Sequence, residues 1–234
     1  MKKLVIIPTY NEIENMKQLL PILMKLDSQF DVLVVDDNSP DGTATFVEKF
    51  SRASLENSRV NILNRPQKQG LGKAYIAGFK WGLEKKYDVL TEMDADFSHA
   101  PEHLVQILKA IESTDVVIGS RYVAGGGTKN WSLFRKIISR GGSLYSRLIL
   151  GYPINDWTGG FNSWKKEVLE KIDLDTIKSN GYSFQIELKY KALKNNFKVL
   201  EIPIIFEDRR VGQSKMSLKI VLEAFYKVWM IRQY

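Results

Sequence analysis

Short runs of apolar residues alternate with longer amphipathic stretches along the first half of the chain. The apolar runs are rich in Val, Ile and Leu and have the length of strands, which is typical of buried strands in a parallel sheet. They cover residues 4–7, 32–35, 60–63, 89–93 and 116–118. Between them, segments 12–26, 72–85 and 101–112, and one that follows Thr43, have a helical pattern. This alternation predicts an α/β fold with a mostly parallel, doubly wound sheet flanked by helices.

The alternation ends after Gly119. Three consecutive glycines at 125–127 predict a flexible loop, and residues 134–150 have the pattern of a basic helix. Residues 182–206 predict one helix and one strand, and residues 218–231 predict a final amphipathic helix. That last helix has two interpretations of similar weight: it packs on the sheet, or it lies on anionic lipid with Tyr226, Trp229 and Tyr234 at the interface.

Composition narrows the class of protein and of site. The 234 residues include no Cys, which excludes a disulfide scaffold, a thiolate nucleophile and a sulfur-ligated zinc or iron–sulfur site. No apolar run approaches the roughly 18 residues that span a bilayer, so we expect a cytoplasmic protein that is soluble or peripheral to a membrane. The net charge of +7 indicates an anionic partner: phosphates, a membrane surface or nucleic acid.

Acidic residues follow two of the predicted strands, at the edge where ligands bind in open α/β sheets. Asp94 and Asp96 flank Ala95 directly after the fourth strand, where two carboxylates could hold a hard cation that bridges diphosphate oxygens. The alternative is a solvated strand end with acidic caps. Asp36 and Asp37 end the second strand, where a carboxylate could hydrogen-bond a ribose or a base edge.

Two common nucleotide-binding motifs are absent from the sequence. The G-x-G that begins at Gly70 has Tyr75 where a dinucleotide fingerprint needs its third glycine. A P-loop ending at Lys73 would need Gly at position 67 and Ser or Thr at position 74, but the chain has Gln67 and Ala74. The turn at Asp41 and Gly42 needs those residues for its backbone angles and predicts no ligand.

Basic residues are concentrated between Asp115 and Asp156, a segment that contains no acidic residue. Arg135 and Ser139 are one helical turn apart, so they could hold one phosphate through a guanidinium and a hydroxyl. A solvated basic face is the alternative for any single residue. His99 and His103 are four residues apart but lack a third ligand, and we interpret them as structural. The basic residues are Arg121, Lys129, Arg135, Lys136, Arg140 and Arg147, with a second group at Arg209, Arg210 and Lys215.

Together, the motifs resemble those of the family 2 glycosyltransferases, which have the GT-A fold. The segments that carry this resemblance are PTYNE (8–12), VDDNSPDGT (35–43), MDADFSH (93–99) and GSRY (119–122). More narrowly, the chain resembles dolichol/polyprenol-phosphate mannosyltransferases in NW (130–131), RKIISRG (135–141), DWTGGF (156–161) and GQSK (212–215). The match extends from the first strand to about residue 218.

This resemblance implies inverting transfer of mannose from GDP-mannose to dolichyl or polyprenyl phosphate, assisted by Mg²⁺ or Mn²⁺. It implies one continuous domain with a nucleotide-sugar-binding half at residues 1–120. Residues 121–234 would form an acceptor-binding half with a C-terminal amphipathic helix. The residues implied in donor binding are Pro8, Tyr10, Glu12, Val35, Asp37, Asp94, Ala95, Asp96, Ser98, Arg209 and Lys215.

The same resemblance implies roles for individual side chains. The metal would lie on Asp94 and Asp96, with Ser98 as a further candidate ligand where some relatives have Gln. Arg209 and Lys215 would clamp the donor diphosphate from a mobile loop, and Gln185 and Glu187 match a family pattern near the acceptor. Arg121, Arg135 and Ser139 would hold the acceptor phosphate, and the catalytic set would be Asp94, Asp96 and Arg121.

The chemistry of the residues agrees with this expectation. A lipid phosphate is already anionic at pH 7, so it can attack the anomeric carbon without a strong general base, and the enzyme has to position it and stabilise the leaving GDP. Two alternatives remain open: the same fold with another donor such as UDP-glucose, and a non-catalytic basic module. The basic segment lacks the interleaved aromatics of a single-strand platform and any helix-turn-helix, so we expect no nucleic-acid partner.

Access to a lipid acceptor needs a separate explanation. Many relatives carry C-terminal membrane helices, whereas this sequence stops at Tyr234. We therefore expect an interfacial helix, a membrane-anchoring partner subunit or further sequence to bring the protein to the cytoplasmic face of a membrane.

Overall fold

The structure, a computed structural model, describes residues 1–26, 29–53, 56–179, 181–208 and 218–233. Short 3₁₀ turns at Glu56–Arg59, Ile111–Ser113 and Leu174–Thr176 join some of its elements. The strands are β1 (Lys3–Thr9), β2 (Asp31–Asp36), β3 (Val60–Asn64), β4 (Val89–Glu92), β5 (Val116–Ser120), β6 (Gly127–Lys129), β7 (Asn162–Lys165), β8 (Val199–Pro203) and β9 (Ile205–Glu207). The α-helices are α1 (Ile13–Met24), α2 (Thr43–Arg52), α3 (Leu71–Glu84), α4 (Pro101–Ala110), α5 (Leu133–Leu150), α6 (Lys166–Ile172), α7 (Tyr182–Lys194) and α8 (Leu218–Arg232).

Seven of the strands form one sheet in the order β3-β2-β1-β4-β7-β5-β8. All neighbouring pairs are parallel except those of β7, which runs antiparallel to both β4 and β5. The predicted α/β fold with a mostly parallel sheet is therefore confirmed. β7 was not predicted because its sequence, Asn-Ser-Trp-Lys, has no apolar run. Its Ser163 is buried all the same, and its hydroxyl hydrogen-bonds Thr91 of β4 at 2.8 Å.

The sheet is covered on both faces, which explains its continuous apolar strands. On β1, Leu4 and Ile6 face a core that includes residues of α3, α6 and α7, while Val5 and Ile7 face a second core built with α1, α2 and α4. Successive strand residues point to opposite faces, so each run of apolar residues contributes to both cores.

The glycine-rich segment differs from its prediction. Residues 125–127 were expected to form a flexible loop, but Gly127 begins β6, which pairs in parallel with β9. The Gly127 N–H donates to the Ile204 carbonyl at 3.0 Å. A three-residue strand is too short to show an alternating pattern in the sequence. Its partner β9 follows β8, far along the chain, so the pair forms only when the domain has folded.

Helix α8 has two different faces. Val228 and Ile231 are buried in the core on the α7 side, while Tyr226 and Trp229 are exposed. The helix was expected to pack on the sheet or to lie on lipid, but its buried face packs mainly on helices α5 and α7 instead of on the strands. Within the described residues, no helix combines the length and the hydropathy that crossing a bilayer requires. Tyr234 lies outside the described residues.

Helix α3 approaches the sheet closely through glycine. A Cβ atom added at Gly78 would lie 2.5 Å from Ile6 Cγ2, and one added at Gly82 would lie 2.5 Å from Leu90 Cδ2. The face of α3 that carries these glycines is thus the face that meets β1 and β4. Since α3 also carries Tyr75 to the carboxyl edge of the sheet, this close packing fixes one wall of the site described below.

We predict that Gly78→Ala lowers the free energy of unfolding by about 1–3 kcal/mol, since the added methyl overpacks the core. The matched control is Gly141→Ala in α5, where nothing lies within 4 Å of an added Cβ. The control should raise the free energy of unfolding by roughly 0.5–1 kcal/mol, because Ala is the better helix former. Urea unfolding of both variants checks the prediction, and shifts of the same sign would contradict it.

Candidate active site

A cavity of about 550 Å³ lies at the carboxyl edge of the sheet. Its walls come from the loops that follow β1, β2, β4 and β5, from the N-terminal ends of α3 and α7, and from one face of α5. The structure thus brings together residues that are far apart in the sequence. The predicted site residues on its walls are Pro8, Tyr10, Glu12, Asp37, Asp94, Ala95, Asp96, Arg121, Arg135 and Ser139.

Three of these loops turn sharply at residues with left-handed backbone angles. Asn11 after β1 and Asn38 after β2 both have φ of 60°, and Phe97 after β4 has φ of 63°. Asn tolerates this region, whereas a bulky residue such as Phe is strained in it by about 1–3 kcal/mol. The turn at Phe97 brings the Ser98 N–H back to Asp96 Oδ1 at 3.1 Å, so the strain fixes the direction of the Asp96 carboxylate.

Asp94 is held by neighbours on two sides. The Tyr75 hydroxyl donates to Asp94 Oδ1 at 3.0 Å, and the Asp94 N–H donates to His99 Nδ1 at 2.9 Å. Burial lowers the pKa of His99, against the effect of Asp94 and Asp96, so the imidazole is neutral and carries its proton on Nε2. Burial and the nearby carboxylates raise the pKa of Tyr75 well above its ordinary value, so this hydroxyl stays a donor.

The two carboxylates offer the oxygen ligands that Mg²⁺ and Mn²⁺ prefer. Asp94 and Asp96 both line the cavity. No cluster of three or more His, Cys, Asp or Glu side chains that could bind a metal occurs within the described residues. Two carboxylates with open positions left for phosphate oxygens and water are the arrangement in which Mg²⁺ binds together with a substrate. The residues present therefore fit such an ion.

The adjacent acids Asp36 and Asp37 have different surroundings. Asp36 is buried and accepts hydrogen bonds from Thr9 and Ser39, so it closes the loop rather than facing the cavity. Asp37 lines the cavity and is paired with Arg65, whose Nη1 lies 2.5 Å from Asp37 Oδ1. Burial raises the pKa of Asp37, and Arg65 opposes that rise.

Asp41 behaves as the turn interpretation predicts. Its carboxylate accepts from the Thr43 N–H at 3.0 Å and from the Ile13 N–H at 3.1 Å, while Gly42 adopts φ of 88°. Hydrogen bonds from the Thr43 hydroxyl and from these backbone N–H groups lower the pKa of Asp41 despite its partial burial.

Arg121 lines the same cavity and is held by a bidentate ion pair. Its Nε and Nη2 atoms lie 2.7 and 2.6 Å from the two carboxylate oxygens of Asp156, and its backbone N–H also donates to Asp156. Nη2 donates further to the Thr158 hydroxyl at 2.8 Å. Arg121 is only 5% exposed, and Asp156 is fully buried. Although burial alone would raise the pKa of Asp156, the Arg121 guanidinium lowers it below its ordinary value.

Helix α5 contributes a second cation and a hydroxyl. The Arg135 guanidinium lies 4.0 Å from the centre of the Trp131 ring, and its Nη1 donates to Asp208 Oδ1 at 2.7 Å. Tyr122 donates its hydroxyl proton to Ser139 Oγ at 2.7 Å, which leaves the Ser139 proton available to a ligand. Arg135 and Ser139 both line the cavity, as expected from their spacing of one helical turn.

Several predicted residues are not on the cavity walls. Val35 is fully buried in the core, where its Cγ2 would lie 3.2 Å from a Cβ at Gly78, so its side chain does not line a nucleoside pocket. Ser98 is 1% exposed, and its hydroxyl has no hydrogen-bond partner among the described residues, so it touches Asp96 through its backbone only. Arg209, Arg210 and Lys215 lie outside the described residues.

A buried polar network supports the floor of the cavity. Glu92, at the end of β4, accepts hydrogen bonds from Asn162, Trp164 and Gln185. Burial raises the pKa of Glu92 to about 7, and these hydrogen bonds oppose the rise. Gln185 also lines the cavity, whereas Glu187 is buried and accepts from the Ser179 N–H at 3.1 Å, which is a structural position.

His103 has the structural position expected of it, whereas His99 lines the cavity. His103 lies on α4 and accepts from the Ile205 N–H at 3.0 Å, which anchors β9. His99 precedes α4 and stacks on Phe161, with ring centres 4.6 Å apart. His99 was not expected to touch the acidic site, yet its Nδ1 accepts a hydrogen bond from the backbone N–H of Asp94. The sequence lacks any signal for that contact, because the contact depends on the turn at Phe97.

Comparisons with known proteins agree with this geometry. The family model of Glycosyl transferase family 2 matches residues 4–173. The chain is 48% identical over 234 residues to the polyprenol monophosphomannose synthase of Mycolicibacterium smegmatis, covering 99% of this chain and 88% of that protein. It is 49% identical over 228 residues to the undecaprenyl-phosphate mannosyltransferase of Micrococcus luteus, covering 97% and 93% of the two chains.

Solved structures with a similar fold are more distant in sequence. Glucosyl-3-phosphoglycerate synthase from Mycobacterium tuberculosis, in complex with UDP, has a TM-score of 0.67 at 15% identity, over 99% of this chain and 80% of that chain. A mannosyltransferase from Pyrobaculum calidifontis, in complex with GDP-Man and Mn²⁺, has a TM-score of 0.61 at 16% identity. The match covers 99% of this chain and 73% of that chain. The fold, the strand-end carboxylates and the extent of the family match lead to one conclusion: the chain belongs to glycosyl transferase family 2.

Proposed function

We propose that this glycosyltransferase moves mannose from GDP-mannose to a polyprenyl phosphate, with inversion at the anomeric carbon. The observation that carries the proposal is that one cavity is lined both by two carboxylates, Asp94 and Asp96, and by two guanidinium groups, Arg121 and Arg135. Such a cavity suits a pair of phosphorylated substrates. The names of the two relatives at 48% and 49% identity support mannose and a polyprenyl phosphate.

The donor is proposed to occupy the half of the domain formed by residues 1–120. Pro8, Tyr10, Glu12 and Asp37 would surround the guanosine, with Arg65 keeping the Asp37 carboxylate in place. The diphosphate would then lie beside Ala95, between the two carboxylates of the strand-end loop. A distant structure with the same fold contains GDP-Man, which is consistent with this donor.

Asp94 and Asp96 are proposed to hold a divalent cation, Mg²⁺ or Mn²⁺. When bound, such an ion neutralises charge on the diphosphate and stabilises GDP as a leaving group. Tyr75 and the Ser98 N–H keep the two carboxylates aimed into the cavity through their hydrogen bonds. The Ser98 hydroxyl is buried and does not line the cavity, so we leave Ser98 out of the proposed ligand set.

The acceptor phosphate is proposed to bind in the half formed by residues 121–234, between Arg121, Arg135 and Ser139. A phosphate oxygen would take the place that Asp208 Oδ1 occupies on Arg135. This oxygen attacks C1 of mannose while the bond from C1 to the diphosphate oxygen breaks, and GDP leaves with the electron pair. Because the phosphate is already ionised, no side chain has to remove a proton, and the protein's contribution is to hold two anions together.

One face of the domain suits the surface of a membrane. Leu133, Phe134, Ile137, Leu144 and Leu148 of α5 are each more than half exposed, and Lys136 and Arg140 lie among them. The exposed aromatic residues of α8 continue this face, since Tyr145 and Phe225 have ring centres 4.2 Å apart. We propose that this basic and apolar face contacts anionic lipid, which would place the protein peripherally at the cytoplasmic side of a membrane.

The experiment that tests the function is transfer of labelled mannose from GDP-mannose into lipid that extracts into organic solvent. Undecaprenyl phosphate in anionic vesicles serves as the acceptor, with Mg²⁺, Mn²⁺ or EDTA. We expect label in the lipid phase with either ion and loss of that label in EDTA, because the diphosphate then loses its counter-charge. Label from UDP-glucose but not from GDP-mannose would contradict the proposed donor, and salt-dependent DNA binding without transfer would favour a non-catalytic module.

We predict that Asp96→Asn lowers kcat by about 10³-fold, since it removes one charge that would hold the cation at the leaving group. Asp41→Asn is the matched control, an acid of the same sheet edge that does not line the cavity. The control should keep its kcat within a few-fold. Steady-state transfer assays at saturating Mn²⁺ measure both variants, and equal losses would refute the metal role of Asp96.

We predict that Arg135→Ala raises the KM for polyprenyl phosphate by about 10- to 100-fold, the effect of one charged hydrogen bond. The KM for GDP-mannose should change by less than about threefold. Arg52→Ala in α2 is the control, because Arg52 is exposed, does not line the cavity and lies outside the proposed lipid-binding face. Initial rates with each substrate varied in turn decide the question, and similar rises in both KM values for Arg135→Ala would argue against an acceptor site.

A further inference from the structure

The loop at residues 155–159 is held by charged side chains on both sides. From α7, the Lys189 ammonium donates to three carbonyls of this loop: those of Asp156 at 2.9 Å, Trp157 at 3.2 Å and Gly159 at 2.8 Å. From β8, the Glu201 carboxylate accepts the backbone N–H groups of Asn155 and Asp156, both at 2.9 Å. Few conformations of the loop satisfy both charges at once, so this clamp specifies its backbone.

Lys189 is unusual because it is a buried, charged side chain at a position that an apolar side chain could fill. The residue is fully buried, and in the described part of the chain no carboxylate lies within 4 Å of its Nζ atom. Burial lowers its pKa to about 8, and Asp156 and Glu92 oppose the decrease, so the ammonium is protonated at neutral pH. Three carbonyl acceptors match the three N–H groups of an ammonium, whereas a neutral amine has only two. The cost of burying this charge is therefore offset by the loop.

The clamped loop carries the two residues that orient Arg121. Asp156 binds the Nε and Nη2 edge of the guanidinium, and Thr158 accepts a further hydrogen bond from Nη2. Nη1 makes no hydrogen bond to the described residues, which leaves its N–H groups for a ligand in the cavity that Arg121 lines. The direction of Nη1 is thus set by Asp156, and the position of Asp156 is set by the clamp.

We propose that Lys189 is a positioning residue for Arg121, which aims the guanidinium at the acceptor phosphate by fixing the loop at residues 155–159. This proposal rests on the proposed function, which places that phosphate on Arg121. Lys189 touches neither substrate. Its contribution is preorganisation: a cation that is already aimed loses no free energy to reorientation when the phosphate binds.

The test compares Lys189→Met with Lys191→Met. Met has a similar length and no charge, so the first change removes the three hydrogen bonds while filling the space. Lys191 lies two residues along α7 with a largely buried side chain, but its ammonium contacts Thr176 and Glu187 instead of the loop. We expect a rise of about 10- to 100-fold in the KM for polyprenyl phosphate with Lys189→Met, as for other displaced positioning groups. Lys191→Met should leave this KM unchanged, and neither variant should alter the KM for GDP-mannose.

A double-mutant cycle separates positioning from a general loss of structure. If Lys189 acts through Arg121, then Lys189→Met adds little to the acceptor KM in an Arg121→Lys background. Independent, multiplying effects would overturn the proposal, as would an unchanged acceptor KM or an equal rise in both KM values for the single variant. Should Lys189→Met fail to fold, Glu201→Gln loosens the same loop from β8, and an unchanged acceptor KM in that variant would equally refute the clamp.

A spectroscopic measurement keeps this question separate from the proposed function. The Nε–H of Arg121 is bonded to Asp156 in a buried site, so its hydrogen exchange should be slow in the unaltered protein. We expect exchange about 10-fold faster in Lys189→Met and unchanged in Lys191→Met. Equal exchange rates in all three proteins would refute the clamp. Faster exchange, together with an unaltered protein that transfers no mannose, would instead retain the clamp and reject the proposed function.

Discussion

The site depends on burying a guanidinium at the edge of the sheet without leaving its charge uncompensated. Moving an ion out of water costs several kcal/mol, and the cost is offset only when geometry and hydrogen bonding are complete. Arg121 meets that condition through Asp156, which receives three hydrogen bonds from it. Asp156 belongs to a loop that needs its own compensation, which Lys189 and Glu201 provide. One buried charge after β5 therefore constrains a loop, a helix and an edge strand, and their arrangement sets the basic wall of the cavity.

The carboxylates of Asp94 and Asp96 are held in a different way from the ion-paired Arg121. Asp94 and Asp96 stay at a strand end, where the backbone turns through a left-handed Phe97 rather than continuing the sheet. Two neutral groups bond to Asp94: burial keeps His99 unprotonated, and burial together with the neighbouring carboxylates keeps Tyr75 protonated. These two groups orient Asp94 without adding a positive charge of their own. Since Arg121 and Arg135 line the same cavity, groups of both signs of charge meet there, which suits the proposed site for two phosphorylated substrates.

Helices α5 and α8 each have one side that faces the protein and one exposed apolar side. Helix α5 turns Arg135 and Ser139 toward the cavity and exposes a row of apolar residues on its other side. Helix α8 buries Val228 and leaves its aromatic residues outside. Because the two helices touch through Tyr145 and Phe225, the exposed apolar face begins next to the basic wall. A lipid whose phosphate lies in the cavity would have its chain directed along that face.

Local patterns in the sequence determined the strands of the parallel sheet, most of the helices and the identity of the strand-end acids. Apolar runs covered on two faces and amphipathic segments with a 3.6-residue period are properties of neighbouring residues, so they can be read without the fold. The polar strand β7 and the short pair β6 and β9 could not be predicted, because distant partners stabilise them. The tertiary structure decided which acid lines the cavity, since Asp37 does so and Asp36 bonds within its own loop. The burial of Val35 followed from its place in an apolar run, whereas the resemblance had implied donor binding there. The tertiary structure alone decided that Lys189, which has the sequence pattern of any helical lysine, lies beneath the Asp156 loop, because hydrogen bonding to a buried charge depends on groups that only folding brings within 3 Å.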